Sequence, residues 1–185
     1  MGERQRCKWC NMKNPLYVAY HDAEWCVPRF DDAYLFEMLL LESFQAGLSW
    51  ECVLNKREAF REAFDGFDVR AISEYDEEKL VALAENKGII RNKLKIRAAK
   101  INAAVFLRIS EEYGSFSAYL KTFISERVVY ETGKASSPLS DLLSADLVKR
   151  GMKFVGSTII YSYLQAIGAI YSHDEDCFMY KKSSI

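Results

Sequence analysis

Neither sign of charge dominates this chain: 25 Lys and Arg stand against 26 Asp and Glu, a formal net charge of −1. Nucleic-acid binders often carry a basic surplus, so the overall balance points away from a polyanion partner and leaves only local clusters to bind one. Long apolar runs are missing as well. None reaches the ~18 residues that span a bilayer, and the charged start over residues 1–8 lacks the apolar core of a signal peptide. The expectation is a cytoplasmic protein with no membrane partner. No repeat or low-complexity tract is present, and no period-2 alternation is long enough for a sheet, which leaves an all-α fold.

What is present suffices for a core. Half of the 185 residues are hydrophobic, and a chain of this length buries most of its apolar surface in one domain over residues 1–185, read as two helical lobes sharing one core. The cysteines, Cys7, Cys10, Cys26, Cys52 and Cys177, are odd in number, which argues for reduced thiols and against a disulfide framework. Basic charge is concentrated: residues 86–100 hold Lys87, Arg91, Lys93, Lys95, Arg97 and Lys100 and no acid, so one region can be positive while the rest is acidic. A basic helix face is also ordinary solvated surface, and the cluster alone does not choose.

Caps and breakers divide the chain. Asp31 or Asp32 caps a helix running to about Ala46 and ended by Gly47. A second helix is expected over residues 50–64 with Gly66 as its break, a short one over 77–86 capped by Asp76, and a tight turn at Gly88. Residues 91–113 read as a long helix with a Leu94, Ala98, Ile101, Val105 stripe, closed by Gly114. A short helix covers 117–124. Residues 126–138 read as loop, with Val128 to Tyr130 a strand fragment at most. Helix resumes at Ser140 or Asp141, stops at Gly151, and returns over 158–171 with Ser157 as N-cap.

Three constellations can carry chemistry. His21 and His173, the only histidines, each lie near one end of the chain with cysteine close by. His173 and Cys177 are one helical turn apart, and Cys7 with His21 completes a Cys2His2 set; Cys7 and Cys10 also form a C-x-x-C pair that offers two ligands or a redox couple. Next, Lys153, Gly156, Ser157 and Thr158 sit in a tight apolar turn between two helices, an arrangement that resembles the helix-hairpin-helix element of DNA repair proteins. Small residues there admit a phosphate, and the N–H groups opening the next helix bind it without reading sequence. An ordinary helical corner has the same pattern. Last, Glu42 shares a helix face with the apolar Leu35, Met38 and Leu39, where a lone carboxylate is costly unless it turns to solvent or meets an arginine. All three tryptophans, Trp9, Trp25 and Trp50, lie with Tyr20 in the first fifty residues. Large rings are usually core, but grouped beside Glu42 they also suit stacking on a purine.

The segments over residues 17–25, 41–50 and 153–158, in that order, resemble the type I 3-methyladenine DNA glycosylases, constitutive bacterial alkylation-repair enzymes of the helix-hairpin-helix superfamily. The likeness runs from about Cys7 to Cys177. It implies a helix-hairpin-helix glycosylase-like fold whose terminal segments are joined by one structural Zn2+ on Cys7, His21, His173 and Cys177. It implies a reaction too: 3-methyladenine is flipped from double-stranded DNA and its N-glycosidic bond is hydrolysed to leave an abasic site, with no strand cleavage. Glu42, the catalytic residue, and Tyr20 would hydrogen-bond the base, Trp50 would stack on it, and Trp9 and Trp25 would line the pocket. Gln45, Gly47 and Leu48 would enter the gap in the duplex. The chemistry agrees, because methylation makes the base cationic and weakens its bond, so an acid and electron-rich rings favour it over adenine. A rival reading is a zinc-stapled binder of damaged DNA without turnover. Cys26 departs from the glycine usual after the tryptophan, residues 178–185 match nothing, and monomer is the default state.

Overall fold

The computed structural model describes residues 4–124 and 128–181, and ten α-helices and two short strands are found among them. Residues 1–3, 125–127 and 182–185 lie outside the described residues, and with them the first two positions of the expected 126–138 loop and the end of the unmatched tail. The helices are α1 (Pro15–Ala23), α2 (Asp32–Gln45), α3 (Trp50–Leu54), α4 (Arg57–Ala63), α5 (Val69–Ser73), α6 (Glu77–Glu85), α7 (Lys93–Tyr113), α8 (Phe116–Leu120), α9 (Pro138–Lys149) and α10 (Ser157–Ala166).

Most boundaries follow from local chemistry. The Asp31 carboxylate accepts the Tyr34 amide to start α2, Asp76 and Asn92 start α6 and α7 in the same way, and Gly114 ends α7 in the left-handed conformation. The expected helix over 50–64 is two helices, α3 and α4, with Lys56 between them in a non-helical conformation. The helix expected from Ser140 starts earlier, at Pro138, because Ser137 and Ser140 form a reciprocal capping box and proline suits the first helical turn. Helix α8 likewise starts and ends ahead of the expected 117–124.

Two corrections concern larger features. The fold is mostly helical and not purely α: β1 (Val129–Tyr130) pairs in parallel with β2 (Ile170–Tyr171). The last helix therefore stops at Ala166 and not at Tyr171. The α7 stripe is also only half right. Ala98 and Val105 are buried, but Leu94 is 70 % exposed and Ile101 41 % exposed, while Lys95 and Asn102 point inward.

Helix α2 is the centre. Every residue from Tyr34 to Phe44 is buried, and the helix packs against α3, α7 and α10. Phe44 meets Phe60 edge-on on one side, and Phe36 meets Phe106 on the other. Arg57 fixes the end of α1 against α2. Its guanidinium binds Glu24 through both terminal nitrogens at 2.8 Å and Glu37 through Nε at 2.7 Å, and Tyr34 donates its hydroxyl to Glu24.

The segment after α1 is held equally tightly by the turn after α10. Gly168 has φ +73°, and a Cβ built there would lie 2.3 Å from the backbone of Val27 and Pro28. Backbone cannot yield as a flexible side chain does, so Gly168→Ala is expected to cost about 3 kcal/mol or more and to lower Tm by about 10 °C. A thermal melt unchanged by the substitution would refute this close approach.

Candidate active site and metal centre

A cavity of about 240 Å3 opens where the N-terminal segment, α1, α2, α3 and α10 converge. It is smaller than the roughly 300–1,000 Å3 of sites for drug-sized ligands and suits one planar heterocycle. Trp9, Tyr20, Trp25 and Trp50 all line it. Trp9 and Trp25 pack edge to face with ring centres 4.6 Å apart, and Tyr20 lies 5.3 Å from Trp50. The sequence-predicted aromatic set is therefore one wall.

Glu42 forms the floor. It is only 2 % exposed, meets no arginine among the described residues, and its Oε2 has no hydrogen-bond partner there. Burial alone, with no basic neighbour among the described residues to offset it, pushes its carboxyl well above the usual carboxylate range, which favours the protonated form while no cation is beside it. Gln45, one turn further along α2, and Trp50 carry two more such orphans in Oε1 and Nε1. Buried polar atoms are nearly always paired. Here a carboxyl oxygen, an amide oxygen and an indole N–H, all unmatched among the described residues, belong to side chains that line one cavity. Burial also raises the Tyr20 phenol, with Glu42 adding to the effect, so that hydroxyl stays a donor.

Three lining residues were not singled out from sequence: Tyr17, Ser162 and Gln165. The last two are three apart on α10, polar positions in the apolar stretch that follows its Ser157–Thr158 start, and that interruption was the available signal.

The turn after α2 lies at the end of the same helix. Gly47 adopts φ +78°, and Leu48 beyond it is 43 % exposed. Lys153, Gly156, Ser157 and Thr158 do form the corner between α9 and α10, and Lys153, Gly156 and Thr158 are exposed. One role changes: the N-cap of α10 is Gly156, with no side-chain cap, and the Ser157 hydroxyl turns away to Ser140 and Asp141. Gly156 has φ −62°, and a Cβ there would touch nothing within 4 Å, so neither conformation nor internal packing demands glycine. The basic run is divided. Lys95 is buried, Arg97 pairs with Glu77 and Lys100 donates to the Tyr75 carbonyl, leaving Lys87, Arg91 and Lys93 exposed before and at the start of α7.

Cys7, His21, His173 and Cys177 converge in one buried cluster, their ligand atoms all within 4.8 Å of one another. The Cys7 Sγ to His173 Nδ1 and Cys177 Sγ to His21 Nε2 separations are both 3.5 Å. A tetrahedral ion bound at about 2.3 Å to sulfur and 2.0–2.1 Å to nitrogen spaces those atoms by about 3.5 Å, so the set fits a metal. The surroundings match that use. Asp22, itself held by Arg6, takes His21 Nδ1 at 2.8 Å, and the amides of Asp174 and Met179 donate to the two sulfurs. Desolvation lowers His173 to about 4, which keeps the imidazole neutral as a ligand must be. Cys10 takes no part: its Sγ faces the Tyr17 carbonyl. The cluster also backs the pocket, since Trp9 lies 5.3 Å from His21 and Trp25 lies 4.7 Å from His173.

A helical protein with a ring-walled pocket over a buried acid, backed by a Cys2His2 cluster, has room and chemistry for one heterocyclic ring. The chain belongs to the methyladenine glycosylase family, whose model matches residues 9–180. It is 42 % identical to the DNA-3-methyladenine glycosylase 1 of Escherichia coli (strain K12) over 182 residues, 95 % of this chain and 97 % of that one. A crystal structure of a 3-methyladenine DNA glycosylase I superposes with a TM-score of 0.91 at 43 % identity, covering 96 % of this chain and all of the other. The Staphylococcus aureus 3-methyladenine DNA glycosylase I, whose structure describes recognition of 3-methyladenine, gives 0.90 at 32 % identity over 98 % and 99 % of the two chains.

Proposed function

We propose that this protein excises 3-methyladenine from alkylated double-stranded DNA by hydrolysing its N-glycosidic bond, leaving an abasic site and an uncut strand. The observation that carries the reading is the unpartnered Glu42 carboxyl, facing a base-sized cavity with the Gln45 and Trp50 orphans around it. A base methylated at N3 is cationic in DNA and a good leaving group, so the protein's main tasks are to extrude it and hold it. Its charge offers Glu42 the partner that the protein does not supply, and the carboxyl releases its proton to solvent water as the cation enters, so that a carboxylate faces the base. Neutral adenine offers no such gain, which sets selectivity.

Tyr20 donates to the base, Trp50 stacks on it, and Trp9 and Trp25 close the sides. Leu48, displayed by the left-handed Gly47, fills the space that the extruded nucleotide leaves in the stack, beside Gln45. The α9–α10 corner acts as a helix-hairpin-helix: the uncapped N–H groups at the start of α10 take a phosphate, and Gly156 is small because DNA approaches there. Lys153, Ser157 and Thr158 flank that contact. Among the described residues no lysine lines the cavity, which favours water as nucleophile and argues against a lyase step. Zn2+ is the metal that best suits the Cys2His2 set, and with all four positions taken it fixes the two ends of a monomeric, single-domain chain and activates no water. Thiolate ligands suit a reducing compartment such as the cytoplasm.

The test is turnover. Duplex DNA treated with a methylating agent, in excess over protein, should yield many molecules of free 3-methyladenine per chain, with strands that break only on later alkali treatment. A stoichiometric complex without released base would make the protein a binder of damage.

A further inference from the structure

Helix α7 buries two polar side chains where an apolar stripe would be expected, Lys95 at 5 % exposure and Asn102 at 3 %. Seven residues apart, they lie on one face two turns from each other. Lys95 Nζ donates to the Phe44 carbonyl at 2.8 Å and to the Ala46 carbonyl, closing the C-terminal end of α2. Asn102 donates to the Lys153 carbonyl at 2.9 Å and accepts the Lys153 amide at 2.8 Å. One side chain thus grips the turn that carries Gln45, Gly47 and Leu48, and the other grips the corner between α9 and α10. Lys95 Nζ also lies 5.8 Å from the ring centre of Phe154 in that corner, so the two attachments adjoin.

Stability alone does not account for Lys95. A cation near helix-terminal carbonyls is favourable, but an exposed side chain supplies that benefit without desolvating an ammonium. Burial does lower the proton affinity of this lysine. What the buried geometry adds is a rigid link from α7 to two backbone carbonyls at the end of α2, one of which, at Ala46, lies beyond the helix. A duplex has fixed spacing, so a wedge and a phosphate clamp act on it together only if the distance between them is held.

We propose that Lys95 is a positioning residue for base extrusion: by tying Phe44 and Ala46 to α7, it holds Leu48 at a set distance from the corner that Asn102 ties to the same helix face. The proposal rests on the glycosylase reading above. Lys95 touches neither the base nor the DNA, and it acts through Leu48.

The test is a double-mutant cycle of Lys95→Met and Leu48→Ala. Two quantities are read: kcat/KM for release of 3-methyladenine from methylated duplex, and affinity for free 3-methyladenine by tryptophan fluorescence. With Leu48 present, Lys95→Met is expected to lower kcat/KM about tenfold, and in the Leu48→Ala background by less than about twofold. Affinity for the free base should stay within about twofold throughout, because the pocket does not touch Lys95. An equal loss in both backgrounds, or a parallel fall in free-base affinity, would make Lys95 a purely structural group and overturn the proposal. If Lys95→Met does not fold, Lys95→Gln enters the same cycle. Failure of both to fold also overturns it. Failure of the glycosylase reading shows differently, as no base release by the wild-type protein, and takes this proposal with it.

Discussion

Glu42→Gln is expected to lower release of 3-methyladenine about a hundredfold and, at the same time, to raise the melting temperature of the ligand-free protein at pH 7. Both effects come from one buried group. Glutamine keeps the shape of the side chain and removes its charge, so a cationic base loses its counter-ion at the pocket floor. The stability change has a sign fixed by linkage. Burial raises the Glu42 carboxyl above its unfolded value. Above about pH 4.3 the unfolded chain gives up that proton while the folded chain keeps it, so the folded state loses stability as pH rises towards its own raised value. Glutamine does not titrate. The variant should therefore melt higher than wild type at neutral pH, and the difference should close near pH 4, where the carboxyl is protonated in both states. Scanning fluorimetry across pH reads this directly. A variant that releases base at the wild-type rate would remove Glu42 from the mechanism, and a melting difference independent of pH would remove the buried proton.

Cys177→Ser should strip the metal centre and lower Tm by at least about 10 °C. The cluster joins residues 7 and 21 to residues 173 and 177, and structural zinc binding of order 10 kcal/mol is folding energy for the segments that it joins. The loss should reach the pocket as weaker binding of free 3-methyladenine, because Trp9 and Trp25 rest on His21 and His173. Turnover by the fraction still folded should fall less than in Glu42→Gln, since a coordinatively closed ion takes no part in the chemistry. Metal analysis should find about one zinc per wild-type chain and little in the variant. Full metal content with unchanged melting would show that Cys177 is no ligand.

Local chemistry made several elements legible. Asp31, Asp76 and Asn92 end in side chains that cap, and Gly114 supplies the left-handed stop, so α2, α6 and the C-terminal end of α7 lie close to where the residues place them. Helix α1 carries an equally plain signal, with Asn14 as N-cap and Pro15 in its first turn. The β1–β2 pair had none. Two residues on each side, some forty positions apart in the chain, carry no periodicity, and only the packing of the last turn brings them together. The α7 stripe failed for a related reason: periodicity assumes that a helix buries its apolar side chains, and here Lys95 and Asn102 take inward positions because backbone carbonyls and amides wait there for partners.

Sequence by itself determined the residue types of the site, the Cys and His positions that offer metal ligands, with Cys10 still among them, and the helical class, since these follow from side-chain chemistry and spacing along the chain. The choice of Cys7, His21, His173 and Cys177 came from the family resemblance. Tertiary structure alone decided that Glu42 is buried at the pocket without a counter-charge among the described residues, that Ser162 and Gln165 join the pocket, that the Ser157 hydroxyl turns away to Ser140 and Asp141, and that a buried lysine ties the end of α2 to α7. Burial and partnership are properties of what surrounds a group, and for this protein those surroundings come from segments far apart in the chain.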